Sequence, residues 1–331
     1  MTTSPPKVLV TESEYRKAEP RFLSAPGLEC LCAPDIEADL AAAVRDAQAS
    51  HVVVGAKLYA GALYDSLQAG SVIARFGVGH DGIDKARATR AGLLCTNTPG
   101  VLNQSVAEHT MLLVAAAART LIPMSTGMTQ RAWSPVIGAE LHGKTLAIIG
   151  CGGIGRSVAR IASLGYGMRV VGCTRPDAPP PIALEHFQAV VNDFAIAVRD
   201  ADFVSLHLSA SRDNLHFVNR DRLAHLGERT WLINTARGSI VDERALFEAL
   251  ADRRFAGAAL DVFTHEPYAP ADGSGDLRSL ANVIVTPHVG SNTAEANGRM
   301  AERALQNIVF AQTRAFAQMD LLNPEVLERG R

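Results

Sequence analysis

Cysteine is scarce in this chain of 331 residues: five in all, Cys30, Cys32, Cys95, Cys151 and Cys173. The number is odd and no CxxC pair occurs, so neither a disulfide framework nor a zinc site is expected. The Cys30-Leu31-Cys32 stretch reads as structural. Clusters of Lys or Arg are also missing, and a formal net charge of -2 leaves no electrostatic footprint for nucleic acid or an anionic membrane. Long apolar runs are absent as well. The most apolar segment, residues 111 to 118, falls far short of the roughly 20 residues that a bilayer-spanning helix needs. The stretch MTTSPPKVLVTESEYRK at the start lacks the apolar core of a signal peptide. The expectations are a reducing cytoplasm by default and no membrane or nucleic-acid partner. There are no internal repeats, and Pro179-Pro180-Pro181 is the only low-complexity stretch.

What is present is an ordinary globular composition, 47% hydrophobic and 20% charged, over a length that suits two domains. Between residues 144 and 288, short apolar runs recur: TLAIIG (145 to 150), RVVGCT (169 to 174), FVSLHL (203 to 208), TWLINTA (230 to 236), GAALDV (257 to 262) and NVIVTP (282 to 287). Continuous rather than alternating hydrophobicity is what a parallel sheet covered on both faces requires. The segments 154 to 164 and 242 to 253 have helical spacing, and strand-helix alternation means a doubly wound α/β sheet. The first hundred residues repeat the pattern more weakly, with KVLVT (7 to 11), a polar helix around 35 to 48, HVVVG (51 to 55) and SVIARFG (71 to 77), which implies a second, smaller α/β domain. Ser105-Val106-Ala107-Glu108 fits a capping box at a helix start. The following helix, VAEHTMLLVAAAART, is apolar nearly all round, so it is expected to bridge domains or pack against another subunit. Residues 294 to 317 read as a long helix that could return to the first domain and make it discontinuous.

TLAIIG runs directly into Gly150-Cys151-Gly152-Gly153-Ile154-Gly155, a GxGxxG placed after a strand and opening a helix. In that context the first glycine permits the tight turn, the second lets backbone approach a pyrophosphate, and the third lets helix and strand pack closely. The N-H groups of Gly153 and Ile154 would face the phosphates, helped by the helix dipole. About twenty residues on, where such sites usually carry an acid that reads the ribose 2'-hydroxyl, stand Thr174 and Arg175. Losing the acid removes repulsion of a 2'-phosphate, and a guanidinium can pair with it through two N-H groups. NADP is therefore expected to be preferred, with NAD possible.

In open α/β sheets ligands bind beyond the carboxyl ends of the strands. Three suitable side chains follow three of the strands: Arg237 in NTARGSIVD, Glu266 in LDVFTHEP and His288 in TPHVG. At this point the chain resembles the D-isomer-specific 2-hydroxyacid dehydrogenase family over nearly its whole length. The resemblance is carried by GCGGIG, SLHLSAS, NTARGSIVDERAL, ALDVFTHEP and TPHVGSNT, and supported by RFGVGHDGID and NTPGVLNQSVAEHT.

The resemblance implies a Rossmann coenzyme domain, residues 101-291, inserted into a discontinuous flavodoxin-like substrate domain, residues 1-100 and 292-331, with a homodimer built around the coenzyme domain. It implies His288 as general acid, Glu266 as its orienting partner and Arg237 as a clamp on the 2-oxo acid. A carboxylate beside an imidazole favours its protonated form, which suits proton donation. Substrate contacts are implied for Val78, Gly79 and His80 together with Arg237 and His288, in a cleft whose closure would exclude water. Asp261 is implied at the nicotinamide carboxamide, Thr235 and Ala236 beside the nicotinamide ribose, and His207, Leu208 and Ser209 along the cofactor, with His288 and Gly290 completing that set. Two departures from the family pattern stand out, Thr174 for the usual Asp and Ser209 for a common Pro. His80, His109 and His142 are set aside as catalytic groups because no carboxylate is expected to pair with them.

The leading expectation is an enzyme reducing a small 2-oxo acid such as glyoxylate or hydroxypyruvate. Within the family, a phosphoglycerate or D-lactate dehydrogenase is the alternative; a phosphoglycerate substrate would call for cations such as Lys57, Arg75 or Lys85. A nucleotide-sensing protein like the corepressors that share the fold is the alternative from another class. The pocket for the substrate's side chain is expected around residues 56 to 59 and His80.

Overall fold

The structure is a computed structural model that describes residues 5-175, 185-270 and 275-328. Pro179-Pro180-Pro181 lies outside the described residues. The chain divides into two compact units, Met1–Leu102 with Asn292–Arg331, and Asn103–Ser291.

The first unit is built on five parallel strands, β1 (Lys7–Thr11), β2 (Glu29–Ala33), β3 (His51–Val54), β4 (Val72–Arg75) and β5 (Leu94–Thr96). Their order, β2-β1-β3-β4-β5, is the flavodoxin-like arrangement. Every residue of β3, β4 and β5 is buried, as a strand covered by helices on both faces must be. Two of these strands escape a reading by apolar runs. β2 alternates partly exposed residues with buried Cys30 and Ala33, and β5 has only three residues. The helix Ala294–Gln312 is capped by the Thr293 hydroxyl and packs on the helix Glu12–Leu23 and on β4. It stops short of residue 317, because Arg314 takes a positive φ and a 3-10 turn, Phe316–Gln318, follows.

The second unit holds seven parallel strands, β6 (Thr145–Ile149), β7 (Arg169–Cys173), β8 (Ala189–Val191), β9 (Phe203–Leu206), β10 (Trp231–Asn234), β11 (Gly257–Leu260) and β12 (Val283–Val285). The order is β12-β11-β10-β9-β6-β7-β8, the Rossmann order with one further strand, so the chain reverses direction across the sheet between β6 and β9. A separate apolar cluster covers each face. Ala147, Ile149, Leu232 and Leu260 point into one, and Leu146, Ile148, Ile233 and Ala259 into the other. That two-sided burial explains the unbroken hydrophobic runs.

The helix Asn103–Ala118 begins two residues before Ser105, which corrects the capping-box reading. Ser105 is buried inside the helix and its hydroxyl donates to the Gly290 carbonyl at 2.9 Å. Most apolar residues of this helix are buried within its own unit, which packs it on the helix Gly153–Tyr166 and strands β10 and β11, while Leu112 is exposed. After a 68° bend comes a second helix, Leu121–Thr129, none of whose residues is buried. Among the described residues no single helix is long and apolar enough to cross a membrane. The bent pair passes on length and composition alone, and the first helix of that pair is mostly buried.

Candidate active site

The glycine loop follows β6 and opens the helix Gly153–Tyr166. Gly150 has φ +102, and a side chain there would overlap the His207 carbonyl; one at Gly155 would overlap the Gly150 carbonyl. At Gly152 a Cβ meets nothing within 4 Å. The protein's own packing therefore demands the first and last glycines and leaves open space in front of the middle one, the side on which a pyrophosphate would approach. The first-turn N-H groups of an α-helix have no partner inside the helix, so those of Gly153 and Ile154 fit an anion there. The residues present suit a dinucleotide.

The other expected cofactor contacts gather at the same carboxyl rim. Thr174 and Arg175 follow β7; the Thr174 N-H donates to Val191 across the sheet at 2.9 Å, and Arg175 is exposed. His207 and Leu208 follow β9 and face the loop across Gly150. Burial pushes the His207 imidazole down to about 4, and its Nε2 lies 2.8 Å from the Ser205 hydroxyl. Ser209 is exposed, and its carbonyl accepts from Asn214. Thr235 is buried with its hydroxyl 2.9 Å from that of Thr110, and the Ala236 N-H donates to Asn234 Oδ1 at 3.0 Å.

Two of the three candidate catalytic groups meet directly. His288 Nδ1 lies 2.6 Å from Glu266 Oε2, and the Phe263 N-H donates to Glu266 Oε1 at 3.0 Å. With Nδ1-H given to the carboxylate, the other ring nitrogen, Nε2, points away from the pair and is available to a substrate. A cavity of about 500 Å³ borders the pair, walled by Phe263, Pro267, Tyr268 and Val285. About a third of each side chain in the pair remains exposed, 33% for His288 and 35% for Glu266, so the bond is charge-assisted yet reachable from solvent. Arg237 approaches through its loop: Gly238 packs so tightly on the Phe263 backbone that no side chain would fit. The same loop is fixed by Asn234, which donates to the Arg237 carbonyl at 2.9 Å, and Arg237 Nη1 donates to the Ala236 carbonyl at 2.7 Å. The loop after β11 is held in turn by Glu243, a buried carboxylate that accepts from the Thr264 N-H at 2.6 Å.

His288 has φ +53, a left-handed conformation that non-glycine residues seldom adopt. Asp261 holds the turn around it. Its Oδ1 accepts from the Thr286 hydroxyl at 2.5 Å and the Val289 N-H at 2.9 Å, and its Oδ2 from the Gly290 N-H at 2.8 Å. Burial alone would raise the carboxyl of Asp261, but hydrogen bonds from His109, Thr286, Val289 and Gly290 outweigh it and hold the group below its usual value. His109 therefore corrects the expectation that no carboxylate pairs with it: Nε2 lies 3.4 Å from Asp261 Oδ1. Nothing local in the sequence could have shown this, since the partner belongs to a distant strand.

In the first unit, Val78, Gly79 and His80 are half-buried beyond β4. The Val78 carbonyl accepts from Asn97 at 2.7 Å, and His80 Nδ1 lies 3.2 Å from Lys85 Nζ. The Tyr59 N-H donates to Gly82 at 2.8 Å, which ties the loop after β3 to the loop after β4. Lys57 is paired with Asp35 at 3.6 Å, and Arg75 is buried.

A doubly wound sheet of this order, with a glycine loop at its first turn and an imidazole-carboxylate pair at its carboxyl rim, defines a pyridine-nucleotide oxidoreductase. The family model for D-isomer specific 2-hydroxyacid dehydrogenase, NAD binding domain, matches residues 111–290. The chain is 36% identical over 266 residues to a glyoxylate reductase of Korarchaeum cryptofilum, spanning 78% of this chain and 77% of that one. It is 36% identical over 250 residues to a hydroxypyruvate reductase of Thermotoga maritima, spanning 74% and 79%. A solved NADPH-dependent glyoxylate/hydroxypyruvate reductase of Sinorhizobium meliloti, in complex with NADP and malonate, superposes with a TM-score of 0.77 at 31% identity over 93% of each chain. The chain belongs to the D-isomer-specific 2-hydroxyacid dehydrogenase family and is an NAD(P)-dependent 2-hydroxyacid dehydrogenase.

Proposed function

We propose that the enzyme reduces small 2-oxo acids of the glyoxylate and hydroxypyruvate type, prefers NADPH, and works as a homodimer in the cytoplasm. The observation that carries the reading is the 2.6 Å pair between His288 and Glu266 at the rim of the sheet. A bound reduced nicotinamide supplies the hydride. His288 delivers a proton from Nε2 to the carbonyl oxygen of the substrate, while Glu266 keeps the ring oriented and balances its charge. Arg237 holds the substrate's carboxylate and polarises its carbonyl. Val78, Gly79 and His80 are assigned the remaining substrate contacts.

The cofactor set is Gly150, Gly152, Gly153, Ile154 and Gly155 at the phosphates, Thr174 and Arg175 at the 2'-phosphate, and His207 to Ser209, Thr235, Ala236, Asp261 and Gly290 along the rest. Preference for NADPH is supported by Thr174 standing where an acid would repel phosphate and by the exposed guanidinium beside it. Five unpaired thiols suit a reducing compartment. Homodimerisation is supported by the apolar segment after the 68° bend, where Trp133 and Ile137 are 83% and 98% exposed.

A panel of 2-oxo acids, assayed by loss of reduced-nucleotide absorbance with NADPH and with NADH, tests the reading. The highest kcat/KM should fall on a small 2-oxo acid with NADPH. A preference for a phosphorylated 2-oxo acid with NADH, or turnover of none, would overturn it.

A further inference from the structure

We infer that His109 is a positioning residue for the proton donor, acting through Asp261 and Thr286 on the turn that carries His288. The inference rests on the reading of His288 as the proton donor. His109 lies on the inner face of the helix Asn103–Ala118, its side chain 13% exposed. Its Nε2 is 3.2 Å from the Thr286 hydroxyl and 3.4 Å from Asp261 Oδ1. The Thr286 hydroxyl already gives its proton to Asp261, so the N-H of His109 is the donor in both contacts. Four residues earlier, and so on the same helix face, Ser105 donates to the Gly290 carbonyl at 2.9 Å.

Residues 286 to 290 are thus gripped from two sides. Asp261, at the end of β11, accepts from Thr286, Val289 and Gly290. The helix face reaches the two ends of the same turn through His109 and Ser105. Between these ends sits His288, whose positive φ persists only where its surroundings over-determine it. Removing the imidazole N-H would deprive a buried carboxylate of a donor. Asp261 would then turn toward other donors or draw in water, and the turn could relax toward ordinary backbone angles, taking the ring off Glu266. Gly290 belongs to the same packing, since a Cβ there would lie 3.1 Å from Asp261 and 3.7 Å from His109. Asn103, on the first turn of the helix, lies against Gly153 of the glycine loop, so one rigid element touches both the loop and the proton-donor turn.

The test compares His109→Leu, which removes the donor, with His109→Gln, which retains an N-H. The direct readout is the pair of ring 15N shifts of His288 in histidine-labelled protein at alkaline pH, assigned by their loss in His288→Ala. Wild type and His109→Gln should show the Nδ1-H tautomer that donates to Glu266. His109→Leu should move toward the Nε2-H tautomer of a free imidazole, and Ser105→Ala should move the same way by less. In parallel, His109→Leu should lower kcat ten- to hundredfold, the order expected for a misplaced reacting group, and raise the solvent isotope effect. NADPH affinity by fluorescence titration should fall by less than kcat, because the phosphate loop is unaltered while Asp261 and Gly290, assigned to the cofactor, lie on the braced turn. Unchanged tautomer and kcat in His109→Leu would overturn the inference. So would equal losses in His109→Leu and His109→Gln that merely follow a common fall in Tm. If His109→Leu fails to fold, Ser105→Ala decides by the same shifts, an unaltered tautomer again refuting the brace. If no 2-oxo acid is turned over but the shifts behave as stated, the brace stands and the assigned reaction falls.

Discussion

His288, Glu266 and Arg175 were each recognisable from position alone, as side chains just past the end of an apolar run. Their partners were recognisable only in part. The pairing of His288 with Glu266 at 2.6 Å gives a sharp expectation. His288→Ala should lower kcat by about 10²- to 10⁴-fold, the usual contribution of a general acid, while NADPH affinity stays close to wild type. Near-normal turnover would remove the proton-donor role. Arg175 makes a different prediction, because its effect divides the two cofactors. A charge-assisted contact with the 2'-phosphate is worth roughly 1.5 to 3 kcal/mol, so Arg175→Ala should reduce the NADPH to NADH ratio of kcat/KM about ten- to a hundredfold. An unchanged ratio would mean that the guanidinium does not read the phosphate. His109 and Ser105 mark where residue-level reading failed. An imidazole has no sequence neighbour that reveals a carboxylate on another strand. A serine three residues before a glutamate resembles a cap until its hydroxyl is seen spent on Gly290.

The elements divide along the same line. Strands buried on both faces, such as β6 and β9, are legible because burial alone writes an unbroken apolar run. β8 is not, since its three residues lie partly exposed at the sheet's edge. The helix Leu121–Thr129 was hidden by Pro123 and Gly127, which count against a helix in any propensity scale. One strand carries a pH-dependent element. His51 opens β3 with 6% of its surface exposed; its Nδ1 accepts from the Val72 N-H at 3.1 Å, and burial pushes the imidazole down to about 4. In the unfolded chain the group returns to about 6.5. A depressed folded value means that the neutral form is favoured by folding, so the contribution is complete above 6.5 and is lost as pH falls toward 4. The full loss amounts to about 3 kcal/mol. Urea midpoints measured from pH 7.5 to 4.5 should fall, and His51→Gln, which retains an acceptor, should flatten the fall. Equal slopes in the two proteins would show that other groups govern acid stability.

At the scale of the whole molecule, strand alternation foretold an α/β chain with two sheets, but not the order of strands within them, which depends on pairings between segments far apart. The surface that a second copy would cover is a separate question, and exposure singles out one candidate stretch. The helix Asn103–Ala118 buries most of its apolar residues against its own unit but leaves Leu112 exposed, and residues 129 to 140 are exposed throughout, with Trp133, Val136 and Ile137 among them. Exposed apolar side chains this dense are seldom left in water, and a second copy of the chain offers the same surface by two-fold symmetry. Ile137, at 98% exposure, contributes nothing to the fold of the protomer, so Ile137→Asp should leave Tm at low protein concentration unaltered. Burying an isoleucine is worth roughly 1.5 to 3 kcal/mol, and a two-fold interface contains the residue twice. The dimer dissociation constant, read by sedimentation velocity, should therefore rise a hundredfold or more. A wild-type chain that sediments as a monomer at all concentrations, or an Ile137→Asp protein that dimerises as tightly as wild type, would rule this surface out as the interface.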